Sequence, residues 1–510
     1  MSAKNKILAE RQARRRKRAL IMKSIIATLI LLVLVMAAVL FKAGFIDGAF
    51  DDTFNELSKK VEAMIPENKK AASTPQAVSP ENAVVSADAA DADAEKAQQA
   101  VDIFATEAAP NADDSILAQA TLMATQYDYD GAVELLQQQT GWEKIDKYVN
   151  AISTWQAEKA ECKAFQPEEV THVFFHSMVP DDAKAFDGDS NEAGYNQVMT
   201  TISEFNSIIQ QMYDRGFVMV SIHEMCTVNE DGTVTPKEIY LPTDKKPFVL
   251  SQDDVSYYHY MKYDGFPDKL IVDENGEVKN SYPQDDGSVL VGDYDMVPLI
   301  DTFVKEHPDF SYHGQKGIIA LTGYEGVLGY RTDEVYKTRD ASRMTEYQIA
   351  FFEENPDFDF EKECEEAKKV ADAMKADGWE FASHTWGHIN PLAAGLDKVK
   401  QDTERWLGNV APIVGDTNVL IFAFGADIAD WQGYSADNEY FTYLKSQGFD
   451  IFANVDGSQK TWVQFGSNYM RQARRNLDGY RMYYNPELVE DLFDVSQAWD
   501  SNRPTPVPPM

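Results

Sequence analysis

Two short motifs hold the residues of this 510-residue chain best suited to chemistry. Ser251-Gln252-Asp253-Asp254-Val255 directly follows the apolar run Phe248-Val249-Leu250. Ser383-His384-Thr385-Trp386-Gly387-His388 directly follows Trp379-Glu380-Phe381-Ala382. His384 and His388 are four residues apart, a spacing that a helical turn would bring to one side. Two imidazoles and one carboxylate make an open three-ligand site that keeps a position for water. A divalent ion in such a site lowers the pKa of that water to about 7. The site needs only one of the adjacent aspartates, so the other is free to act as a base. Each motif alone is commonplace, since paired acids after a strand often cap a helix. Their weight comes from both standing at strand ends.

The elements around the motifs set that geometry. From about residue 168, apolar runs alternate with amphipathic stretches. Strands are expected over residues 172–176, 217–221, 248–251, 317–321, 379–383, 419–424 and 449–454. Helices are expected over 197–216, 361–377 and 440–447, the last two closed by Gly378 and Gly448. Such alternation favours a parallel sheet or barrel, and barrels gather their functional groups at the C-terminal ends of strands. The 130 residues between Asp254 and His384 exceed what one βα unit needs. They read as rim loops, with Asn275-Gly276 marking a hairpin. Gly323 to Tyr330 lacks phosphate-loop spacing, so no nucleotide cofactor is expected. Tyr257, Tyr258, Tyr260 and Trp386 are candidates for stacking on sugar rings, against the plainer reading that they pack the core.

Leu250-Ser251-Gln252-Asp253-Asp254-Val255 resembles the first motif of the NodB-type polysaccharide deacetylases, carbohydrate esterase family four. Asp377-Gly378-Trp379-Glu380-Phe381-Ala382-Ser383-His384-Thr385-Trp386-Gly387-His388 resembles their second, including its upstream strand. The resemblance covers about residues 168–485. It implies a distorted (β/α) barrel in which Asp254, His384 and His388 bind a divalent metal, zinc with cobalt or manganese as alternatives, and Asp253 is the general base. The implied activity is removal of acetyl groups from an N-acetylated cell-wall or extracellular polysaccharide.

The sequence also departs from the family. Val255 stands where the family has Gly, and Gln252 where it has Phe. The third motif is reduced to Ile421-Phe422-Ala423-Phe424-Gly425 without its arginine, leaving Phe424 and Gly425 as backbone donors for an oxyanion. Arg471, Arg474 and Arg475 are the replacements on offer for steadying the base, Arg474 and Arg475 foremost. No histidine follows His388, so the family's general-acid histidine is missing. His176, at the end of the first expected strand, is the substitute. A non-catalytic wall-binding module with this fold is the rival these losses raise, beside a metal-dependent hydrolase of another amide.

The remainder of the chain supplies location. Residues 1–23 hold nine Lys or Arg and one acid, whereas the whole chain carries −36. An acidic body argues against nucleic acid as a partner. Residues 24–41 are free of charge, and residues 20–41 match the length of a membrane-spanning helix. The basic flank keeps residues 1–19 cytoplasmic and places the rest outside the cell. Residues 42–114, rich in Ala, Pro, Asp and Ser over 66–114, read as a disordered stalk. Residues 115–165 read as a small helical region. It resembles one tetratricopeptide-like unit and is a candidate for protein contact, though a lone unit has no stacked neighbour. The deacetylase-like domain is expected over 166–490 and a tail over 491–510. Three scattered cysteines make no disulfide or thiolate site.

Overall fold

Strand alternation closes into a ring in the computed structural model of the protein, which describes residues 112–510. The strands are β1 (Thr171–Phe175), β2 (Phe217–Met219), β3 (Lys246–Asp253), β4 (Ile318–Leu321), β5 (Glu380–Ser383), β6 (Val419–Ile421), β7 (Ile451–Val455) and β8 (Met470–Asn476). Among the described residues, seven of them form a closed parallel barrel in the order β1-β3-β4-β5-β6-β7-β8 and back to β1. The distortion lies at β3, where β2 pairs with its first half, Phe217 opposite Lys246, and β4 with its second, Ile318 opposite Ser251. β2 therefore lies outside the ring. β8, which the sequence presents only as an arginine-bearing segment, closes the barrel between β7 and β1.

Successive side chains of a strand face opposite ways, and here that divides a core from a site. Val173, Phe175, Phe248, Leu250, Ile319 and Phe381 pack outward, against the helices Ile202–Asp214 and Phe360–Ala376. Inward, Val249, Ile318, Val419, Ile451 and Met470 form an apolar floor. One level up, His172, Ser251 and Gln472 are buried together, while β4, β5, β6 and β7 offer Ala320, Ala382, Ile421 and Ala453. Asp253, His384 and Arg474 follow at the C-terminal ends.

The expected helix over 197–216 is two helices, Glu192–Val198 and Ile202–Asp214. Thr201 interrupts it because it forms a reciprocal cap with Glu204: its hydroxyl accepts from the Glu204 amide, and the Glu204 carboxylate accepts from its own. Gly216 then ends the second helix at φ 79°. In the insertion, Asn275-Gly276 does turn a hairpin, joining Lys269–Val272 to Val278–Pro283 in a three-stranded antiparallel sheet completed by Val289–Gly292.

Three helices, Ala112–Thr125, Tyr129–Gln137 and Asp146–Ala160, share the apolar floor through Ala120, Leu136, Tyr148 and Trp155. The Tyr127 hydroxyl donates to Asp309 O at 2.8 Å and the His313 amide to Gln126 O at 2.8 Å. The helical region is thus built into the barrel's foot. Residues after 490 also pack back: buried Arg503 forks onto the Glu204 carboxylate and donates to the Asn196 and Met199 carbonyls. Among the described residues no helix is long and apolar enough to cross a membrane. The expected cytoplasmic tail and anchor, and the stalk as far as residue 111, lie outside the described residues.

One feature of the foot titrates. His223 faces two acceptors, the Glu380 carboxylate at 2.8 Å from Nδ1 and Asn418 Oδ1 at 2.8 Å from Nε2. The Asn418 amide is held in that orientation because its nitrogen donates to Asp450. Only a doubly protonated ring satisfies both. Burial would lower the imidazole pKa, but the Glu380 hydrogen bond and charge outweigh it and lift it to about 9. A raised folded-state pKa gives stability that is fully present below the unfolded value of about 6.5 and is lost as pH rises through the folded one. Thermal melts should therefore fall between pH 6.5 and 9.5 in the native protein, and His223→Gln should flatten that slope. An unchanged slope would refute the assignment.

Candidate active site

β3 ends in a backbone reversal that parts its two aspartates. Asp254 sits at φ 62°, in the left-handed region that costs a side chain energy, and its amide donates to Ala320 O at 3.1 Å. Asp253 consequently points into the barrel and is buried, whereas Asp254 turns toward the rim. There the Tyr258 hydroxyl donates to Asp254 Oδ1 at 2.9 Å and lies 2.6 Å from Thr322 Oγ1. His384, just beyond β5, donates Nδ1–H to Ile421 O at 2.8 Å.

His388 reaches the same place by a different route from the expected helical turn. Residues 384–388 are a loop in which Thr385 and His388 both have positive φ, 62° and 50°. Asp402 shapes it by accepting from the Trp386 and Gly387 amides at 2.6 and 2.9 Å. The Arg405 guanidinium lies over the Trp386 ring, 3.2 Å from its centroid. The two imidazole rings end 5.0 Å apart, and His388 Nε2 lies 3.6 Å from Asp254 Oδ2.

Asp254, His384 and His388 each bring one ligand atom to within 4.8 Å of the others. Their hydrogen bonds fit a divalent ion. With Nδ1 protonated toward Ile421 O, His384 presents the lone pair of Nε2. With Oδ1 held by Tyr258, Asp254 presents Oδ2. Burial, countered in part by Asp254, lowers the His388 pKa and favours the neutral, ligating ring. A carboxylate, two imidazoles and an open side are the donor set of a catalytic zinc site, and the hydroxyl and carbonyl behind them are the outer partners such ligands ordinarily have.

Asp253 stands beside this cluster, with Oδ2 3.8 Å from His384 Nε2. Arg474 grips it through both nitrogens, Nη1 to Oδ1 at 2.7 Å and Nη2 to Oδ2 at 2.9 Å. Burial would raise the Asp253 carboxyl, but the Arg474 guanidinium, with His384 adding to it, holds it well below the usual carboxylate range. The forked pairing leaves little freedom of orientation.

The other expected residues divide. Of the three arginines only Arg474 meets Asp253. Arg475 lies on the opposite face of β8 and binds Asp491 and Leu488 O, so it has no part in the site. Arg471, also on that face, holds the loop after β6 through Asp427, Asp430 O and Gln432 O. Gly425 is no oxyanion donor, because its amide is spent on Phe422 O at 3.1 Å. Phe424, at φ 59°, has an amide with no acceptor among the described residues and a ring 4.3 Å from that of His388. His176 donates Nδ1–H to Val198 O, 3.0 Å away.

The aromatic expectations need correction. Tyr257 and Tyr258 are buried, Tyr257 donating to Asp295 and Tyr258 stacking on Tyr324 at 4.7 Å and 6°. Trp386 is covered by Arg405. Only Tyr260 of that set is open to solvent. The exposed rings at the rim are instead Phe424, 70% exposed, and Trp431, 77% exposed, on the loop that Arg471 pins. Trp431 was not singled out in the sequence. The only signal for it was its place seven residues after Phe424, beyond an expected strand end.

No family model matches the sequence, and no curated protein matches it. Among solved structures, a Streptococcus pyogenes deacetylase, PplD, in complex with acetate, is 11% identical with a TM-score of 0.31, over 64% of this chain and 97% of that one.

Proposed function

We propose that this chain is a metal-dependent deacetylase that hydrolyses the acetamido groups of an N-acetylated polysaccharide, and that residues 20–41 anchor it in the cell membrane with the barrel outside. The observation that carries the reading is the meeting of Asp254, His384 and His388 within 4.8 Å, beside a separate carboxylate clamped by Arg474. One acid is thereby available to a metal and the other to a proton.

A divalent ion, zinc by donor type, would supply Lewis acidity toward the acetyl carbonyl and lower the pKa of a water in the open position to about 7. Asp253, ionised and fixed by Arg474, takes a proton from the attacking water as the new C–O bond forms. The Phe424 amide donates to the oxygen that gains charge. His176, directly after β1 and with Nδ1–H donated to Val198 O, gives the Nε2 proton of its protonated ring to the nitrogen as the C–N bond breaks. Acetate and a glycan amine leave. Phe424 and Trp431 offer apolar faces of the kind that pack against pyranose rings.

Acetate release from an acetylated chito-oligomer, measured with zinc restored, tests this. Asp253→Asn should lower the rate by about 10²–10⁴-fold, the usual worth of a positioned base, with sugar binding kept. Sugar binding without acetate from either protein would favour the non-catalytic wall-binding reading. Hydrolysis of peptide amides in preference to the acetylated sugar would point to a different amide substrate.

A further inference from the structure

Behind the Arg474–Asp253 pair lies a buried polar chain that neither the metal cluster nor the proton transfers use. His172 and Ser251 occupy the level of the barrel below Asp253, on β1 and β3, and Gln472 the same level on β8. All three are at most 1% exposed. Arg474 Nη1 donates to Ser251 Oγ at 3.2 Å as well as to Asp253. Ser251 Oγ lies 2.9 Å from His172 Nε2, His172 Nδ1 lies 3.0 Å from Gln472 Oε1, and Gln472 Nε2 lies 3.1 Å from Val170 O.

The ends of this chain fix its direction. Arginine only donates, and the Val170 carbonyl only accepts. The Gln472 amide nitrogen must therefore donate to Val170 O, which leaves Oε1 to accept from His172 Nδ1–H. The neutral ring then offers Nε2 to the Ser251 hydroxyl proton, while the Ser251 oxygen accepts from Arg474. Any other tautomer would set two donors or two acceptors against each other in a dry interior, where an unpaired group costs about 1–3 kcal/mol. Burial, with the Arg474 charge close by, pushes the His172 pKa down to about 3. The ring is neutral at any working pH and does not take part in proton exchange.

We infer that His172, Ser251 and Gln472 are positioning residues that aim the Arg474 guanidinium, and through it the base Asp253, at the reaction centre. The inference rests on the proposed reading of the site. On β4, β5 and β7 the inward residues are Ala320, Ala382 and Ala453, and on β6 it is Ile421, so the barrel does not need polar groups here to fill space. A chain with one allowed direction fixes a side chain more narrowly than packing does. The Arg474 Nε is buried and makes no hydrogen bond, so among the described residues Ser251 is the guanidinium's only hydrogen-bond partner besides Asp253, while its flat face rests on the Phe174 ring at 4.1 Å.

Ser251→Ala cuts the chain while leaving a residue already used inside the barrel on β4, β5 and β7, and His172→Leu removes its centre. Both should lower kcat for acetate release from zinc-loaded protein by about 10- to 100-fold, as small misplacements of reacting groups do. KM and zinc affinity should stay within about twofold. His172→Gln, which keeps an acceptor for Ser251 and a donor for Gln472, should recover most of kcat. A ¹⁵N NMR spectrum of the unmodified protein should show His172 as the Nδ1–H tautomer, unchanged from pH 5 to 9. An Nε2–H tautomer, or kcat within twofold in both variants while Asp253→Asn is inactive, overturns the inference. Full activity in Asp253→Asn overturns the reading of the site instead. The NMR measurement needs no variant and no turnover, so misfolding of either variant leaves the test standing.

Discussion

Replacing Arg474 with methionine should destabilise the protein by about 3–5 kcal/mol and reduce acetate release by at least about 100-fold. The two losses have different causes. Asp253 is nearly inaccessible and its charge is balanced by one forked guanidinium. Removing that partner strands a carboxylate in a low-dielectric interior, the costly half of any buried ion pair. The sign of the pH effect follows. In the native protein Arg474 holds the carboxyl below its usual range, so the pair adds stability above the unfolded pKa of about 3.9, and that stability fades as pH falls through the folded value. Without Arg474, burial loses its main counterweight and the carboxyl rises, so the deficit should shrink on acidification as the group takes up a proton. Denaturant melts of both proteins from pH 3 to 8 measure this. Adding Asp253→Leu to Arg474→Met should restore most of the stability and none of the activity. Arg474→Lys keeps the charge but not the fork, so it should recover stability better than rate. A penalty below about 1 kcal/mol at pH 7 would show that the pair does not hold the site together.

The parts of the site that were legible in the sequence are those where chemistry restricts the residue type. Asp253, Asp254, His384 and His388 were visible because paired acids and paired imidazoles at strand ends have few other uses in concert. What brings them together was not visible. The left-handed backbone at Asp254 has no glycine or asparagine to signal it, and it decides which aspartate faces inward. The His384–His388 spacing suggested a helix, but Thr385 and His388 adopt positive φ under the hold of Asp402, a residue on the following helix that no local pattern connects to the loop. The choice among Arg471, Arg474 and Arg475 was decidable in principle. On a strand, 470, 472 and 474 share one face and 471 and 475 the other. Deciding which face is inner required knowing that Gln472 meets His172 across the barrel. Gly425 failed for a simpler reason, since its amide closes a turn with Phe422. The helical region was legible as helices. Its burial against the barrel floor follows from apolar side chains too scattered along Ala112–Ala160 to reveal which surface they needed.

The second large effect should separate metal binding from proton delivery. His384→Ala removes one of the three proposed ligands, a ring already fixed by Ile421 O so that Nε2 faces the cluster. The variant should bind zinc about 10³-fold more weakly, equivalent to several kcal/mol at about 1.4 kcal/mol per decade, and should release acetate correspondingly slowly. Binding can be read without turnover. An ion that binds only the folded state raises its stability by RT ln(1 + [L]/Kd), about 2.7 kcal/mol at a hundred times Kd. Zinc should therefore raise the melting temperature of the native protein and leave that of His384→Ala nearly unchanged at the same concentration. His176→Ala is the informative partner, because His176 belongs to no ligand set. It should keep the full zinc-dependent rise and still lose about 10²–10⁴-fold in rate if it is the acid. Equal zinc responses in native protein and His384→Ala would remove the metal from the mechanism. Full activity in His176→Ala would pass the acid's role to water, and the barrel would then need only Asp253, Arg474 and the three ligands to complete its chemistry.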